Sequence, residues 1–483
     1  MRVLQYAVRF PMLIRYFGQL CVALAALTIV PLLVSLLFGD FSVSMRYAAV
    51  TGFLFSTGLS CSRLKTSKKM QNNEAMAVTA LIFLFSPLAM TWPVMASGLS
   101  FSDALFETVS AVTTTGLSTT DTLMGKTETF LFSRAWMQWI GGLGIVILCM
   151  AALIQPGLTA KRLDISESYD DDIIGGTRAM ARRVLTIYTL LTIAGIVLLM
   201  LSGVDWYTSI LYCLAAISTG GFSPHDTSLY GLQNHSAEAI VIVISMAGAV
   251  SLFLYYRVYR NGWREVWHDR QFRAFMLAGI LVTTILSCFL WYQDGLSWTA
   301  ALRHGALNGL SALSTAGFAS MDIGDMGDSS KFTLIMAMAA GGNAGSTAGG
   351  IKIIRLLILF HMLYLIIQRA GAPSHAVLQA RLGERKLEVD EMLNAVCLFV
   401  LFITIAVLSW LPFLALGHAP LDSLFEVISA LGTAGLSTGI TSIELHPFLK
   451  GILCADMLFG RLEIIAWLVF FYPGTWIGLR KEE

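Results

Sequence analysis

Charged residues are scarce in this 483-residue chain. Asp, Glu, Lys and Arg make up 13% of it and hydrophobic residues make up 56%, whereas an average soluble protein carries roughly 25% charged residues. So few charges cannot cover the surface of a soluble protein of this size, which excludes a soluble enzyme, a nucleic-acid-binding protein and a disordered chain. The composition predicts a polytopic membrane protein. The formal net charge of +1 gives no overall attraction to an acidic partner.

Cysteine forms no pattern either. The 7 Cys are scattered without a CxxC pair, so neither a disulfide framework nor a zinc site is expected. Basic residues precede the first apolar run, 18–38. This run is too long for the apolar core of a signal peptide, and no cleavage-site pattern follows it. We therefore expect an uncleaved membrane helix there.

Ten apolar segments are candidates for membrane-spanning helices, each of which needs about 20 residues. Two are weaker, because 46–60 is short and 332–366 is interrupted by glycines. The eight strong segments are 18–38, 76–96, 132–154, 183–203, 237–258, 274–293, 393–416 and 451–472. With a cytoplasmic N-terminus, 25 of the 32 Lys and Arg residues lie inside and 6 outside. This asymmetry predicts an even number of spans and two cytoplasmic termini.

One 17-residue motif occurs twice in the chain. Residues 103–119 (DALFETVSAVTTTGLST) and 422–438 (DSLFEVISALGTAGLST) are identical at 11 positions. Weaker copies lie between them at 215–223 (AAISTGGFS) and 311–320 (SALSTAGFAS). Alignment places a glycine of every copy at one position: Gly116, Gly221, Gly317 and Gly435. The chain thus repeats a helix, a half-helix, a Thr-x-Gly segment and a second helix four times, after two extra helices.

Four equivalent polar segments between spans predict a pore. Non-helical backbone at membrane depth is tolerated only inside protein or along water, and a ring of backbone carbonyls replaces the hydration shell of a monovalent cation. Glycine lets successive carbonyls turn inward, and the half-helices would aim their partly negative C-terminal ends at the axis. The alternative is that Gly and Thr only permit close helix packing. A single copy would favour packing, whereas four copies favour the pore.

Acidic residues flank two of the half-helices. We expect Asp103 and Asp422 at their N-cap positions, with Glu107 and Glu426 in the first turn. Helix capping explains these four residues better than direct ion binding does.

With three further motifs, these segments resemble the pore subunits of the Trk/Ktr/HKT potassium transporters, most closely the bacterial TrkH type. The motifs are 134–144 (RAWMQWIGGLG), 341–355 (GGNAGSTAGGIKIIR) and 457–463 (MLFGRLE), and the resemblance covers nearly the whole chain. It implies an all-α membrane protein with four pseudo-symmetric M1-P-M2 pore repeats around one ion pathway, preceded by two extra transmembrane helices. The implied units are 1–75 for those two helices and a cytosolic loop, then 76–182, 183–272, 273–390 and 391–483 for the repeats.

The resemblance also implies potassium as the transported ion, with no covalently bound cofactor. In that family, glycine at all four positions goes with potassium preference, whereas serine at the first position goes with sodium. The implied potassium-binding filter consists of Thr114, Thr115, Gly116, Thr219, Gly220, Gly221, Thr315, Ala316, Gly317, Thr433, Ala434 and Gly435.

A gate is predicted at residues 341–350, where five glycines disfavour a continuous helix. We interpret this stretch as an intramembrane loop that opens and closes the pore below the filter, as the resemblance also implies; the alternative is a passive kink. Arg461 lies in an apolar run, where a charge is costly. The resemblance implies that Arg461 projects into the ion path and pairs with the loop or with Glu463, and the alternative is a structural ion pair with Glu463 or Asp456. The predicted gate residues are Gly341, Gly342, Asn343, Gly345, Ser346, Thr347, Gly349, Gly350 and Arg461.

The resemblance finally implies partners and a location. These are a homodimer in the bacterial inner membrane, surrounded by the lipid bilayer, and a separate cytosolic nucleotide-binding subunit of the TrkA type, with no nucleic acid. Channel-like flow and symport with protons or sodium are both compatible with the sequence. No enzyme is expected, because the acidic run Asp170, Asp171 and Asp172 has no second acidic motif and fits a solvated loop. A sodium-coupled secondary carrier of a small solute is the alternative function, but such carriers use inverted repeats, whereas these four run in parallel.

Overall fold

The computed structural model describes residues 7–64, 70–144, 177–373, 380–382 and 385–477. The predicted all-α membrane protein is confirmed. Within the described ranges, the only strands are β1 (Arg381–Leu382) and β2 (Arg385–Lys386), which pair antiparallel. The acidic run at 170–172 and the end of the predicted span 132–154 lie outside the described residues.

Two long helices precede the repeats, and each repeat contributes a first helix, a short pore helix and a second helix. The helices are α1 (Phe10–Leu37), α2 (Phe41–Ser62), α3 (Asn72–Val94), α4 (Phe101–Val112), α5 (Glu128–Gly142), α6 (Thr177–Leu201), α7 (Trp206–Ile217), α8 (His235–Ala249), α9 (Leu252–Asn261), α10 (Arg264–His268), α11 (Arg270–Tyr292), α12 (Trp298–Leu313), α13 (Asp328–Ala340), α14 (Ile353–Gly371), α15 (Val389–Ala415), α16 (Pro420–Leu431), α17 (Pro447–Arg461), α18 (Ile465–Phe471) and α19 (Pro473–Trp476). Short 3-10 turns cover Met95–Ser97 and Ser228–Leu232.

Six of the described helices are long and apolar enough to cross a membrane, namely α1, α3, α6, α11, α14 and α15. The bent pair of α8 and α9 makes a seventh span if it is counted as one. The most apolar windows of α6, α11 and α15 are only 28%, 28% and 22% buried. The remaining apolar surface of these first helices is therefore available to lipid tails, while their buried side faces the pore helices.

The two extra helices pack closely through small residues. The predicted short segment 46–60 belongs to the 22-residue helix α2. A Cβ placed on Gly18 of α1 would lie 2.9 Å from the Gly58 carbonyl oxygen of α2, and one on Gly58 would lie 2.9 Å from the Gly18 oxygen. Helices that have no hydrophobic drive to associate in lipid gain contact by such approaches.

All four second helices stop at a corresponding point. The helices α5, α8, α13 and α17 contain 15, 15, 13 and 15 residues, which is about 20–23 Å at 1.5 Å per residue and too short to cross the membrane. The predicted continuous spans 237–258 and 451–472 are therefore wrong. The axes of α8 and α9 differ by 85°, and α17 ends at Arg461 before α18 begins at Ile465.

Glycines at the fourteenth position explain how these helix ends approach the pore helices. A Cβ on Gly141, Gly248 or Gly460 would overlap the carbonyl oxygen of the last residue of that repeat's pore helix, which is Val112, Ile217 or Leu431. In the third repeat, the corresponding Gly341 lies instead against the Gly349 carbonyl of the 341–350 loop. The third repeat therefore differs from the other three at this contact.

Candidate ion pathway

The four Thr-x-Gly segments (114–116, 219–221, 315–317 and 433–435) share one backbone conformation. Their threonines have φ of 55°, 52°, 52° and 49°, and their glycines have φ of 91°, 79°, 76° and 82°. The left-handed region is rarely adopted by threonine. Four recurrences show that the surroundings impose this conformation on every segment.

Each segment is anchored to the end of its own pore helix. The amide of the middle residue donates to a carbonyl five residues earlier, as from Thr115 to Ser110 at 2.9 Å and from Ala434 to Ser429 at 2.8 Å. The corresponding bonds in the second and third repeats are Gly220 to Ala215 at 2.8 Å and Ala316 to Ser311 at 2.9 Å. This is the hydrogen bond of a Schellman helix end, with threonine at the left-handed position that glycine usually occupies.

The segments meet in a closed ring. A Cβ on Gly116 would overlap the carbonyl oxygen of the middle residue in the second segment, and each later glycine faces the next segment in the same way. The four contacts are Gly116 to Gly220, Gly221 to Ala316, Gly317 to Ala434 and Gly435 to Thr115. The structure thus brings all twelve predicted filter residues together, in the order of the repeats. Side chains at the glycine positions would collide with the ring itself.

The ring has two faces, which we name by the chain. The upper face carries the residues that follow the glycines, and the lower face carries the four threonines. Among the described residues, no group of three or more His, Cys, Asp or Glu side chains could hold a metal ion. The cation ligands that the ring offers are backbone carbonyls and threonine hydroxyls, which suit a dehydrated monovalent cation.

A buried polar side chain supports the upper face in every repeat. It lies nine residues before the ring glycine and is Glu107, Tyr212, Asn308 or Glu426. Glu107 accepts hydrogen bonds from the Ser118 hydroxyl at 2.5 Å and the Thr119 amide at 2.9 Å. Each of these side chains thus fixes the chain just after the ring.

The other three side chains act alike with different chemistry. The Tyr212 hydroxyl contacts the Ser223 hydroxyl at 2.9 Å and donates to the Ser228 carbonyl at 2.7 Å. Asn308 Oδ1 accepts from the Ser320 amide at 2.9 Å. Glu426 Oε1 accepts from the Ser437 hydroxyl at 2.6 Å and the Thr438 amide at 2.8 Å.

The expected position of Glu107 and Glu426 in a first turn is wrong, because both lie at the seventh residue of their helices. These four supporting side chains are not among the predicted site residues, although their constant spacing from the ring glycines marks them in the sequence. Aligning the four copies outward from the glycine, rather than from the acidic residues, brings the four positions into register.

Gln138 of α5 adds a support that only the first repeat has. Its side-chain amide donates to the Gly220 carbonyl, and its Oε1 accepts from the Phe222 amide at 3.1 Å. The corresponding residues of the other second helices are Ser245, Met338 and Met457. The ring is therefore pseudo-symmetric in its backbone and asymmetric in its side-chain environment.

Polar ties link each repeat to the next near the start of the second helices. Lys450 of α17 contacts Asp103 of α4 at 2.6 Å, and Lys331 of α13 contacts Asp422 of α16 at 2.8 Å. The expected N-cap position of both aspartates is wrong, because each is the third residue of its helix. In the first repeat Ser100 is the N-cap, and its hydroxyl donates to Asp103 at 2.5 Å.

The remaining two links lie near these places and use other residues. Glu238 of α8 pairs with Arg303 of α12 at 2.5 Å, which reverses the direction of charge. Between the first two repeats, the Tyr207 hydroxyl of α7 donates to the Glu128 carbonyl of α5 at 2.5 Å. The four links close a second circle of contacts around the ring.

The loop at 341–350 lies against the lower face. Its Gly349 amide donates to the Thr315 hydroxyl at 2.8 Å, and the Thr219 hydroxyl contacts the Thr347 hydroxyl at 3.3 Å. A Cβ on Gly349 would overlap the Thr433 hydroxyl oxygen. The loop therefore contacts three of the four ring threonines.

The second repeat holds the loop in this place. The Asn343 and Thr347 amides donate to the Ala249 and Gly248 carbonyls at 3.0 and 3.1 Å. The Thr347 hydroxyl donates to the Gly248 and Ile217 carbonyls at 2.9 and 3.0 Å. The remaining predicted gate residues make contacts within the loop or at its borders. The Ser346 hydroxyl donates to the Asn343 carbonyl at 2.6 Å, and Gly341 and Gly350 lie against each other. The Gly342 and Gly345 carbonyls accept from the Ile353 and Leu252 amides at 3.0 Å each.

Arg461 contacts the fourth threonine and the loop at once. Its guanidinium donates to the Thr114 hydroxyl at 3.1 Å and to the Thr347 carbonyl at 2.7 Å. It also donates to the carbonyls of Gly141 and Gly142 at the end of α5, at 2.5 and 2.8 Å. Arg461 therefore joins the loop, the ring and the end of a second helix.

The alternative ion pairs of Arg461 are not formed. Glu463 pairs with Arg355 of α14, and Asp456 accepts from the Ser409 hydroxyl of α15 at 2.6 Å. Within the described part of the chain, Arg461 has no acidic group within the 4.0 Å of an ion pair, so its positive charge faces carbonyl and hydroxyl oxygens.

A family model described as TrkH, cation transport protein, matches residues 44–475. The chain belongs to this family. Among its relatives is an uncharacterized cation transporter of Methanocaldococcus jannaschii, which is 29% identical over 462 residues covering 95% of this chain and 94% of the relative. The Trk system potassium uptake protein TrkH of Escherichia coli strain K12 is 28% identical over 485 residues covering 97% and 99%. The TrkH protein of Salmonella typhimurium is 30% identical over 410 residues covering 83% of each chain.

A solved structure agrees with this assignment. The crystal structure of the potassium transporter TrkH from Vibrio parahaemolyticus superposes with a TM-score of 0.86 and 26% sequence identity, over 97% of this chain and 100% of the solved one. This member of the TrkH family is therefore a multi-pass membrane protein with the four-repeat fold.

Proposed function

We propose that this TrkH-family protein takes up potassium ions across the cell membrane through the ring of four Thr-x-Gly segments. The observation that carries the proposal is the closed order of contacts around the ring, in which each glycine lies against a carbonyl group of the next segment. Backbone carbonyls in such a ring replace the water that surrounds a cation. The potassium uptake named for the Escherichia coli and Salmonella relatives supports potassium as the ion.

In the proposed mechanism, the predicted gate controls passage below the ring. The 341–350 loop and Arg461 contact all four ring threonines, which supports a gate in the path that an ion would take from the lower face. A guanidinium at this place repels cations, because its charge is not paired with an acid. Opening requires the loop to move away from the threonines and the Arg461 hydrogen bonds to break.

The proposal includes the predicted surroundings of the protein. We propose a homodimer in the bacterial inner membrane with both termini in the cytoplasm, and a nucleotide-binding cytosolic subunit of the TrkA type. The Trk system to which the named relatives belong supports association with further components. Such a subunit would act on the gate by shifting the loop between its bound and withdrawn positions.

Potassium-limited growth of an uptake-deficient bacterium tests the proposal. Cells expressing the wild type, Gly116→Ser or Gly435→Ser would be compared for growth and for rubidium and sodium uptake, with the cognate regulatory subunit present. We expect rescue by the wild type and loss of uptake or of selectivity in both variants, because each added side chain collides with a ring carbonyl.

Gly451→Ser is the matched control, since a Cβ at Gly451 of α17 meets no atom within 4 Å. It should grow like the wild type. Absence of rescue by the wild type, or rescue that both ring variants leave intact, would overturn the filter assignment and favour the secondary carrier of a small solute.

A further inference from the structure

Glu426 has a buried carboxylate that accepts four hydrogen bonds. Its side chain is 0% exposed. Oε1 accepts from the Ser437 hydroxyl, the Thr438 amide and the Thr438 hydroxyl at 2.6, 2.8 and 3.2 Å, and Oε2 accepts from the Thr441 hydroxyl at 2.6 Å. All four donors belong to the chain that follows Gly435.

These four bonds match the acceptor capacity of an ionised carboxylate. An ionised carboxyl group offers about four lone-pair sites and no donor, whereas a protonated one must place its own hydrogen on an acceptor. A backbone amide can only donate, and the three hydroxyls are free to do so. The four contacts are therefore those that the charged form of Glu426 can accept.

The Glu426 carboxylate lacks a cationic partner among the described residues. In the described part of the chain, no Lys, Arg or His nitrogen lies within 4.0 Å of the Glu426 carboxylate, whereas Glu107, its counterpart in the first repeat, lies 3.2 Å from Arg134. The position of Arg134 in α5 corresponds to Leu453 in α17. A buried charge without an oppositely charged partner is costly, so a mobile counter-ion near the carboxylate would be stabilised.

We propose that the counter-ion of Glu426 is the transported cation itself, and that Glu426 sets the affinity of the ring for that ion. The carboxylate holds Ser437 and Thr438, which lie two and three residues beyond Gly435, so its charge lies behind the fourth segment at the upper face. An ion entering the ring from this face passes Glu426, which has no cationic partner among the described residues, whereas Glu107 is paired with Arg134. This inference rests on the proposed uptake function.

The test compares charge removal with hydrogen-bond removal. Glu426→Gln removes the charge at nearly constant shape, whereas Ser437→Ala removes one hydrogen bond and keeps the charge. Rubidium uptake would be measured over a range of concentrations in cells, with competing sodium, and the amount of folded protein by size-exclusion chromatography of detergent extracts. We expect Glu426→Gln to raise KM about tenfold, the effect of about 1.4 kcal/mol of lost binding, with Vmax retained. Ser437→Ala should change KM by less than about twofold.

A third variant supplies the missing partner. Leu453→Arg places a cation where the first repeat has Arg134, and it should raise KM as Glu426→Gln does. If Leu453→Arg does not fold, the first two variants decide. Equal KM values for Glu426→Gln and the wild type, or equal rises for Glu426→Gln and Ser437→Ala, would overturn the inference while leaving uptake by the wild type intact. Absence of rubidium uptake by the wild type would instead overturn the proposed function.

Discussion

The two faces of the ring are held in different ways. On the upper face, each segment is supported by a side chain of its own pore helix, and ion pairs or a tyrosine tie each repeat to the next. On the lower face, one loop and one arginine make the contacts to all four threonines. Four independent supports cannot be released together, whereas a single loop can. The upper face therefore provides a fixed frame, and in the proposed mechanism the movement takes place at the lower face.

Removal of an inter-repeat tie should have the largest effect on stability. Lys450→Met leaves the Asp103 carboxylate buried without its partner at 2.6 Å, and such a loss costs about 3–5 kcal/mol. We expect a clear fall in the thermal unfolding temperature of the purified protein. The double variant with Asp103→Leu should recover much of it, because an apolar pair of similar volume is often as stable as a buried ion pair. If Lys450→Met leaves the unfolding temperature unchanged, the ties between repeats do not stabilise the upper face.

Arg461→Ala should act on flux rather than on stability. It removes four hydrogen bonds that join the loop, the ring and the end of α5. A hydrogen bond to a charged group contributes about 1.5–3 kcal/mol, so the loop should leave the ring more often and rubidium uptake should rise about tenfold. The control is Arg260→Ala on the exposed surface of α9. Lower uptake in Arg461→Ala, with the protein folded, would show that the arginine does not hold the gate closed.

Gly349→Ala should displace the loop from the lower face by steric overlap. The gain in uptake should be smaller than that of Arg461→Ala. Its Cβ would overlap the Thr433 hydroxyl and the Gly432 carbonyl, so the loop must shift, although the Arg461 contacts remain. We expect rubidium uptake to rise about two- to fivefold, less than the tenfold change that about 1.4 kcal/mol produces. Gly371→Ala in α14 is the control, because a Cβ there meets no atom within 4 Å. Equal uptake in both variants would mean that the loop tolerates displacement without opening.

Tyr207→Phe should have the smallest effect. It removes the hydrogen bond that takes the place of an ion pair between the first and second repeats, which contributes about 0.5–1.5 kcal/mol. We expect a small fall in unfolding temperature and unchanged rubidium uptake. A fall as large as that of Lys450→Met would show that the four ties contribute equally despite their different chemistry.

The four-repeat architecture was predictable because the four copies have similar sequences. The Thr-x-Gly segments align at Gly116, Gly221, Gly317 and Gly435, and the structure brings those glycines to equivalent places. Glycine content alone also located the interruption between α13 and α14.

The breaks in the other second helices were not predictable from apolar content. Hydropathy measures the transfer of side chains into lipid and contains no information about backbone breaks. The segments 237–258 and 451–472 are therefore apolar enough to be predicted as continuous spans. The break after Ala249 involves no proline and is fixed by contacts between repeats, such as the Asn343 amide on the Ala249 carbonyl. The pairing of Asp103 with Lys450 across 347 residues lay equally beyond local sequence patterns.

Closure of the ring between the last repeat and the first has a consequence for biogenesis. Asp103 and Thr114 each find a partner 347 residues later, in Lys450 and Arg461. At the usual pace of about 5–20 residues per second, synthesis of that stretch takes roughly 20–70 s. During this time Asp103 of the nascent first repeat lies in the membrane without its partner Lys450. The early repeats therefore have to remain inserted in the bilayer without associating with neighbouring chains until the fourth repeat has been synthesised.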